Sequence, residues 1–270
     1  MAIITVSRGS ASGGILLAEG LARELDYDVV SREDIVHEAA GFGAPEEKLL
    51  DALLKPPSFW ERFKHERRRY LTFVRAVLCE RVQGDRVVYH GNAGHLLLCG
   101  ISHVLCLRLI APLSYRIRTL MERERLDSEG ARRRIDEIDR QRREWTSFLY
   151  GADWLDPSLY DITINLQTLD VSGAVELAAT AARRPEFATT EESARAMADL
   201  VLASRVEAAL AANAETAPIE LEVSAADGVV SLRGRLRSAS MVAAAVNVAG
   251  GVTGVRSVNR EALDAPDYTV

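Results

Sequence analysis

The chain has 270 residues, of which 33 are Lys or Arg and 39 are Asp or Glu, so its net charge at pH 7 is −6. Apolar residues make up 48% and charged residues 27%, which are ordinary values for a globular protein. These values exclude collagen-like, low-complexity and wholly disordered chains. A nucleic-acid coat protein is disfavoured as well, since a mildly acidic chain repels phosphate unless its cations are segregated.

The basic residues are concentrated in two segments. Residues 61–86 hold eight cations against four anions, and residues 116–143 hold ten against seven. Nearly all are arginines, whose planar fork suits phosphate oxygens. The run Arg67-Arg68-Arg69-Tyr70 is nevertheless more typical of a solvated helix face than of a nucleic-acid site.

Cysteine usage and the N-terminus indicate a cytoplasmic protein. Cys79, Cys99 and Cys106 form no C-x-x-C pair and no even-numbered framework, so reduced thiols in buried packing are expected. Residues 1–6 lack the basic and apolar regions of a signal peptide. The most apolar stretch, residues 96–113, is interrupted by a histidine and an arginine and falls short of a membrane span.

Strands and helices alternate over the first 182 residues. Short buried strands are predicted at residues 2–6, 28–30, 86–90, 103–110 and 160–165. Helices are predicted at residues 15–25, 31–40, 46–82 with a break near Pro56-Pro57, 112–150 with a joint near 126–128, and 171–182. This alternation predicts an α/β domain with a parallel sheet.

A second, smaller domain is predicted after a short linker. The order there is a helix to residue 212, strands at 219–223 and 229–233, a helix at 240–248 and a strand at 255–259. Asp227-Gly228 between two alternating strands is a strong hairpin signal. The predicted division is residues 1–184, a linker at 185–192, a second domain at 193–264 and a tail at 265–270.

A loop rich in glycine and serine, residues 7–14, joins the first strand to the first helix. Such a loop directs backbone N–H groups and the positive end of the helix dipole to one point, which predicts phosphate binding. The alternative is an ordinary tight turn that uses glycine for its shape. Relative to the pattern G-x-x-x-x-G-K-[ST], Ile15 replaces the lysine and Leu16 replaces the hydroxyl that would ligate Mg²⁺.

The motifs of the first 182 residues resemble those of the cytidylate-kinase-like branch of the P-loop nucleoside-monophosphate kinases. The matching segments are Ile3-Ile4-Thr5-Val6-Ser7-Arg8 with Ser12-Gly13-Gly14, Ser31-Arg32-Glu33, Ala111-Pro112-Leu113 with Met121-Glu122-Arg123-Glu124, Ala131-Arg132-Arg133-Arg134-Ile135 with Ile138-Asp139, and Asp153-Trp154 with Asp156-Pro157 and Tyr160-Asp161. They occur in the order that the family shows.

This resemblance implies a three-layer P-loop NTPase sheet with a helical lid, ATP and Mg²⁺ as cofactors, and transfer of the γ-phosphoryl group to a pyrimidine monophosphate. The residues that it assigns to donor phosphates are Arg8, Ser10, Ser12, Gly13 and Gly14. Those it assigns to the acceptor are Arg32 and Asp34, and those it assigns to catalysis by the lid are Arg132, Arg133 and Arg140.

The chain also departs from the pattern of this branch. Ile15 stands where an arginine is usual, Ser31 stands where an aspartate is usual, and the arginine expected near Gly91 is missing. Since phosphoryl transfer depends on positioning and charge neutralisation, these losses predict slow transfer. Three hypotheses remain: a weak nucleotide kinase, a nucleotide-responsive regulator, and a scaffold with a vestigial loop.

Several charged groups have simpler explanations. The arginine-rich segment could be an exposed helix with i,i+4 pairs such as Asp136 with Arg140. The five histidines show no metal-ligand spacing beyond His90 and His95, which lie five apart on a glycine-interrupted segment, so no metal site is predicted. Asp153 and Asp156 could hold Mg²⁺ or cap a turn before Pro157, and capping is favoured.

The C-terminal part resembles a BON domain, a small αββαβ module that binds ligands or membrane surfaces. The matching segments are Ala203-Ser204-Arg205-Val206-Glu207-Ala208-Ala209-Leu210, Asp227-Gly228-Val229-Val230-Ser231-Leu232-Arg233-Gly234 and Gly251-Val252-Thr253-Gly254-Val255-Arg256-Ser257-Val258. Residues 191–270 carry seven cations and eleven anions, which does not favour an anionic membrane. The expected partners are therefore a nucleotide for the first domain, and a second copy or another protein for the BON-like domain.

Overall fold

The computed structural model describes residues 1–55, 59, 64–91 and 93–264. Its contacts divide the chain into two units. The first unit contains residues 1–34, the described residues of 53–62, and residues 84–190. The second contains residues 35–52, the described residues of 63–83, and the chain from residue 191 onward. The predicted break at Pro56-Pro57 and the tail at 265–270 lie outside the described residues.

A five-stranded sheet forms the centre of the first unit. Its strands are β1 (Ile3–Arg8), β2 (Asp28–Ser31), β3 (Val87–His90), β4 (Val104–Ile110) and β5 (Ile162–Asn165). The spatial order is β2-β3-β1-β4-β5, and all four pairings are parallel. Because the strands are parallel, their carboxyl ends and the loops that follow them meet at one edge of the sheet.

Helices alternate with these strands, as the sequence predicts. Their bounds are α1 Gly14–Leu25, α2 Arg32–Ala39, α3 Glu46–Leu54, α4 Lys64–Val82, α5 Gly94–Leu97, α6 Leu113–Glu124, α7 Ser128–Tyr150 and α8 Val171–Ala182. The predicted joint near residue 127 is confirmed, since Asp127 caps α7 by accepting a hydrogen bond from the Gly130 N–H at 2.7 Å. The α/β prediction with a parallel sheet is confirmed.

The core of the first unit holds the strand that carries the glycine loop. On α1, Leu17 and Leu21 are spaced i,i+4 and are fully buried in one cluster with Ile4 and Val6 of β1. Ala178 of α8 completes this cluster. Each buried leucine contributes about 1.5–3 kcal/mol relative to an exposed one, so the end of β1 and the start of α1 are held firmly.

A three-stranded sheet lies in the second unit, flanked by two helices. The elements are α9 (Glu191–Ala212), β6 (Glu222–Ala226), β7 (Val229–Arg235), α10 (Ala239–Gly250) and β8 (Ser257–Asp264). β6 and β7 are antiparallel, and β7 and β8 are parallel. The predicted hairpin is confirmed, with Asp227 and Gly228 at positive φ angles of 47° and 77°.

The first strand of this sheet begins later than predicted. Residues 216–219 form a turn in which the Ile219 N–H donates to the Thr216 carbonyl at 2.9 Å, so pairing starts at Glu222. Ile219 still packs against the cluster around Val230 and Leu232. The apolar side chain of Ile219 is therefore buried within a turn and does not belong to a strand.

Helix α4 packs along α9 within the second unit. The seam between the two helices includes Cys79 on α4 and Ser204 on α9, both of them buried. Ion pairs join the two helices beside this seam, with Arg75 Nη1 3.0 Å from Glu207 Oε2 and Arg205 Nε 2.6 Å from Glu80 Oε1. A segment from the first third of the sequence is thus part of the same unit as the C-terminal sheet.

The arginine run on α4 is only partly a solvated face, which corrects the prediction. Arg67 is 1% exposed, and its Nε donates to the Ala52 carbonyl at 3.1 Å. Burial lowers the pKa of this guanidinium to about 10. Tyr70 is buried too, whereas Arg68 is exposed and pairs with Glu220 at 3.2 Å. The misassignment arose because charge pattern alone does not show on how many sides a helix is packed.

Two expectations from composition can be compared with the structure. The three cysteines are free thiols, but Cys79 alone of them is buried, Cys106 is partly exposed and Cys99 is exposed, so buried packing is wrong for Cys99. Burial raises the pKa of the Cys79 thiol to about 11. Across the helices that the structure describes, none combines the length and apolar character needed to cross a bilayer.

The Arg75–Glu207 pair predicts a pH-dependent stability. Burial raises the pKa of the Glu207 carboxyl, and Arg75 lowers it. In Arg75→Met the carboxylate loses its counter-charge, so we expect the free energy of unfolding at pH 7 to fall by about 1–3 kcal/mol. The loss should shrink toward pH 4, because a carboxyl whose folded pKa is raised binds its proton more tightly in the folded state.

Urea unfolding at several pH values measures this effect. Arg81→Met is the matched control on the same helix, since the Arg81–Glu38 pair is exposed and its loss should cost about 0.5 kcal/mol or less. Equal losses for the two variants, or a loss in Arg75→Met that does not change with pH, would contradict the assignment.

Candidate functional site

The glycine loop connects the carboxyl end of β1 to the first turn of α1. Gly13 caps the helix in the left-handed conformation, with φ of 83° and no side-chain hydrogen bond to the first turn. The first N–H groups of a helix have no intrahelical acceptor, and here they lie at the positive end of the helix dipole. The loop therefore places these N–H groups where the sequence predicts phosphate binding, which itself stays a prediction.

Arg8 lies directly over this loop. A Cβ atom on Gly14 would come within 2.8 Å of Arg8 Cβ and 2.9 Å of Arg8 Cγ, so glycine is required for the arginine to pack there. Burial and the neighbouring positive charge of Arg32 lower the pKa of the Arg8 guanidinium. A cation is therefore held at the loop by packing, although the lysine of the usual motif is replaced by Ile15.

The two serines of the loop play different parts. The Ser12 side chain is fully buried, and its hydroxyl donates to the Gly9 carbonyl at 2.9 Å, with the Leu109 carbonyl at 3.3 Å. The Ser10 main-chain N–H donates to Asp139 Oδ1 at 3.2 Å. The Ser12 hydroxyl thus shapes the loop, and the carboxylate of Asp139 on α7 lies against the loop backbone at Ser10.

A narrow cleft with a cavity volume of about 20 Å³ opens beside the loop. It lies at the carboxyl edge of the sheet, where parallel α/β folds bind ligands. The residues that line it are Ser7, Arg8, Arg32, Gly91, Ala93, Arg142, Trp145, Thr146 and Trp154.

The cleft carries more positive than negative charge. Arg142 donates through Nη1 to the Arg8 carbonyl at 2.6 Å, and burial together with the charge of Arg8 lowers its pKa to about 10. Arg142 Nε and Arg32 Nε are buried and have no hydrogen-bond partner among the residues that the structure describes. The nearby carboxylates are already paired, Glu33 with Arg32 and Asp139 with Arg116. Buried unpaired donors on cations favour an anionic ligand.

Asp34 and His90 lie near the cleft without lining it. Asp34 accepts hydrogen bonds from the Ser31 N–H at 2.8 Å and the Ser31 hydroxyl at 2.7 Å, which caps the start of α2. Burial and the charge of Arg8 lower the pKa of His90, so this imidazole is neutral at pH 7. The structure thus brings Arg32 to the cleft and gives Asp34 a capping contact.

The lid arginines singled out by the resemblance lie on the exposed side of α7. Arg132 is exposed, Arg133 pairs with Glu129 at 2.5 Å, and Arg140 pairs with Glu137 at 2.7 Å. These are contacts within one helix, as the alternative explanation predicts, although the partners of Arg140 are Glu137 and Glu144 and not Asp136. Their role in catalysis stays a prediction.

Sequence reasoning missed Arg116 and Arg142, the arginines that do reach the loop. A signal for Arg142 was present, because it follows the buried Ile135 by seven residues and so lies on the same helix face. Arg116 follows Pro112 by one helical turn, and its Nε donates to the Ser10 carbonyl at 2.7 Å. Helix periodicity, applied to charged residues, would have found Arg142.

The residues near the loop do not fit a protein-held Mg²⁺. Within the described ranges no group of three His, Cys, Asp or Glu side chains could hold a metal ion. The Ser12 hydroxyl already has protein acceptors, and Leu16 is 55% exposed at the position of the usual hydroxyl ligand. Asp153 and Asp156 accept hydrogen bonds from the N–H groups two residues on, at 3.0 and 2.8 Å, which confirms the capping prediction.

The packing of Arg8 on Gly14 can be tested by substitution. In Gly14→Ala the new methyl group overlaps the Arg8 side chain, so we expect a loss of about 1–3 kcal/mol in unfolding free energy. Gly41→Ala is the control, since no atom lies within 4 Å of its Cβ position. Urea denaturation compares the two, and a Gly14→Ala protein as stable as wild type would show that Arg8 does not pack there.

Comparisons with known proteins agree with this architecture. The model of the cytidylate kinase-like family matches residues 3–168, and the model of the BON domain matches residues 198–263. An uncharacterized protein from Eubacterium ventriosum ATCC 27560 is 19% identical, with a TM-score of 0.54 over 67% of this chain and 97% of its own. At this identity the likeness shows the fold alone.

Two further solved structures are more distant. A sugar kinase from Janibacter sp. HTCC2649 is 18% identical, with a TM-score of 0.42 over 70% of this chain and 99% of its own. A shikimate kinase from Acinetobacter baumannii is 14% identical, with a TM-score of 0.37 over 66% and 90%. No curated protein matches the sequence. Because the first family model covers more than half of the chain, the protein belongs to the cytidylate kinase-like family, with a P-loop kinase-like domain and a C-terminal BON domain.

Proposed function

We propose that this protein binds a nucleotide through its phosphate groups, between the glycine loop and the arginine-lined cleft, and transfers a phosphoryl group only slowly. The observation that carries the proposal is the pair of buried, unpartnered Nε atoms of Arg32 and Arg142 in a cleft beside the loop. Leaving such donors unpaired is costly, and phosphate oxygens are the acceptors that guanidinium groups pair with best.

The arrangement separates two phosphate positions. The N–H groups at Gly13 and Gly14 suit the phosphates of the donor nucleotide. The cations of the cleft, Arg32 and Arg142, suit the phosphate of an acceptor, which the family relationship suggests is a nucleoside monophosphate. Arg8 lies over the loop and lines the cleft, so it is placed to neutralise charge that passes from donor to acceptor.

The residues of this chain can position the nucleotide, but they supply little of the positive charge that usually speeds phosphoryl transfer. Ile15 is 40% exposed at the place of the motif lysine, and it supplies no charge to the phosphates. ATP would be bound with Mg²⁺ held by its own phosphates, since the loop offers no ligand set for the ion. Slow transfer follows, because charge neutralisation carries most of the rate in this chemistry.

A regulatory role is the second candidate function. Helix α2 begins with Arg32 in the first unit, and from Ile35 onward it belongs to the unit that contains the BON domain. A phosphate bound by Arg32 would therefore act at the start of a helix that the second unit shares. In this role the BON domain would bind a protein partner or a second copy of the chain in response to nucleotide.

Arg142→Gln tests the phosphate site. We expect the affinity for CMP and dCMP to fall about tenfold or more, because one charge-assisted hydrogen bond to the acceptor phosphate is lost, and the affinity for ATP, which the loop binds, to stay unchanged. Isothermal titration calorimetry with and without Mg²⁺ gives the affinities. Arg143→Gln is the neighbouring control on the exposed face of α7. Equal affinities for wild type, the control and Arg142→Gln would remove the arginine from the site.

Ile15→Lys tests whether a missing cation limits transfer. If the rest of the site is intact, the lysine should raise the rate of ADP formation with CMP by about tenfold or more, since each 1.4 kcal/mol of transition-state stabilisation is a factor of ten. Wild-type turnover at ordinary kinase rates would contradict the proposal of slow transfer. An unchanged rate in Ile15→Lys, with unchanged ATP affinity, would favour the regulatory role.

A further inference from the structure

The hairpin of α6 and α7 is fastened to the glycine loop by three side chains. Asp139 accepts from the Ser10 N–H at 3.2 Å, Arg116 Nε donates to the Ser10 carbonyl at 2.7 Å, and Arg142 Nη1 donates to the Arg8 carbonyl at 2.6 Å. Each of these bonds goes to a backbone atom of the loop, so the attachment does not depend on which side chains the loop carries. We call the contact of Asp139 with Ser10 and Arg116 the latch.

Apolar packing supports the latch. Ala11 of the loop lies in one buried cluster with Leu120 of α6 and with Ala131 and Ile135 of α7. The Arg116 guanidinium carbon would be 3.4 Å from a Cβ atom on Gly9. The hairpin therefore covers this side of the loop.

The carboxylate of the latch makes the contacts that an oxygen anion of a ligand would make. One oxygen accepts from a backbone N–H of the loop, and the other lies 2.6 Å from Arg116 Nη2. Phosphate oxygens pair with both kinds of donor in the same geometry. Asp139 also offsets positive charge at the cleft, since it raises the pKa of Arg142 where Arg8, Arg32 and Arg116 lower it.

We propose that Asp139 is an internal competitor for the phosphates of the nucleotide. This proposal rests on the proposed function, because it assumes that the loop binds a nucleotide. A polyphosphate that reaches the loop must displace the carboxylate from the Ser10 N–H and Arg116. Ligand affinity is then lowered by the strength of the latch, and binding is coupled to release of the α6–α7 hairpin.

The test is Asp139→Asn, which keeps the shape of the side chain and removes its charge. We expect ATP and inorganic tripolyphosphate to bind about tenfold or more tightly than to wild type, because the competing charge-assisted contact is lost. Asp136→Asn is the control, since Asp136 is exposed on the same helix three residues away. Unchanged or weaker binding in Asp139→Asn, measured by calorimetry on the full chain, overturns the proposal.

Hydrogen exchange without nucleotide gives a second, independent measurement. The amides of residues 9–14 and of α7 should exchange faster in Asp139→Asn, while those of the central strand β4 should be unchanged if the fold is intact. Equal exchange at the loop overturns the latch even if affinity changes. If wild type and Asp139→Asn bind ATP equally well, the latch fails and the proposed function stands. If neither binds ATP or tripolyphosphate, both the proposed function and the displacement fail.

Discussion

Mutual repulsion among four partly buried arginines is the constraint around which the glycine loop of the first unit is organised. Arg8, Arg32, Arg116 and Arg142 converge on the end of β1, where burial and their own charges lower the pKa of Arg8 and Arg142. Such a cluster is unfavourable on its own, and the buried leucines of the sheet and α1 stabilise the unit that holds it. The carboxylate of Asp139 offsets part of this repulsion.

The second unit shows that sequence order and compact structure need not coincide. The family model ends at residue 168, yet α4 and most of α2 and α3, which lie inside its range, share a unit with the BON domain. The ion pairs of Arg75 and Arg205 cross the seam between α4 and α9. The division into separately folding domains at residues 1–184 and 193–264 therefore stays a prediction. The contacts between α4 and α9 are a physical reason to measure whether the two parts fold independently.

Periodicity and turn chemistry predicted the elements well. The strands, the glycine loop and the Asp227-Gly228 hairpin depend on local patterns, and the structure has each of them. The candidate site was harder, since charge pattern cannot tell which arginines of a helix face inward. Arg142 and Arg67 are buried by tertiary packing, whereas Arg140 of a similar run is exposed beside Glu137. In each case the burial of the arginine depends on packing partners that are distant in sequence. A single sequence does not show which residues those partners are.

The pairing of α4 with α9 also matters during synthesis. Residue 82 leaves the ribosome about 130 residues before α9 is complete, as the bounds of the two helices show. At roughly 5–20 residues per second, the side of α4 that carries the buried Cys79 waits about 6–26 s for the helix that packs along it. During that interval the nascent chain exposes an apolar surface suited to premature association. The charged residues at the start of α4 keep that end of the helix hydrated until α9 has been synthesised.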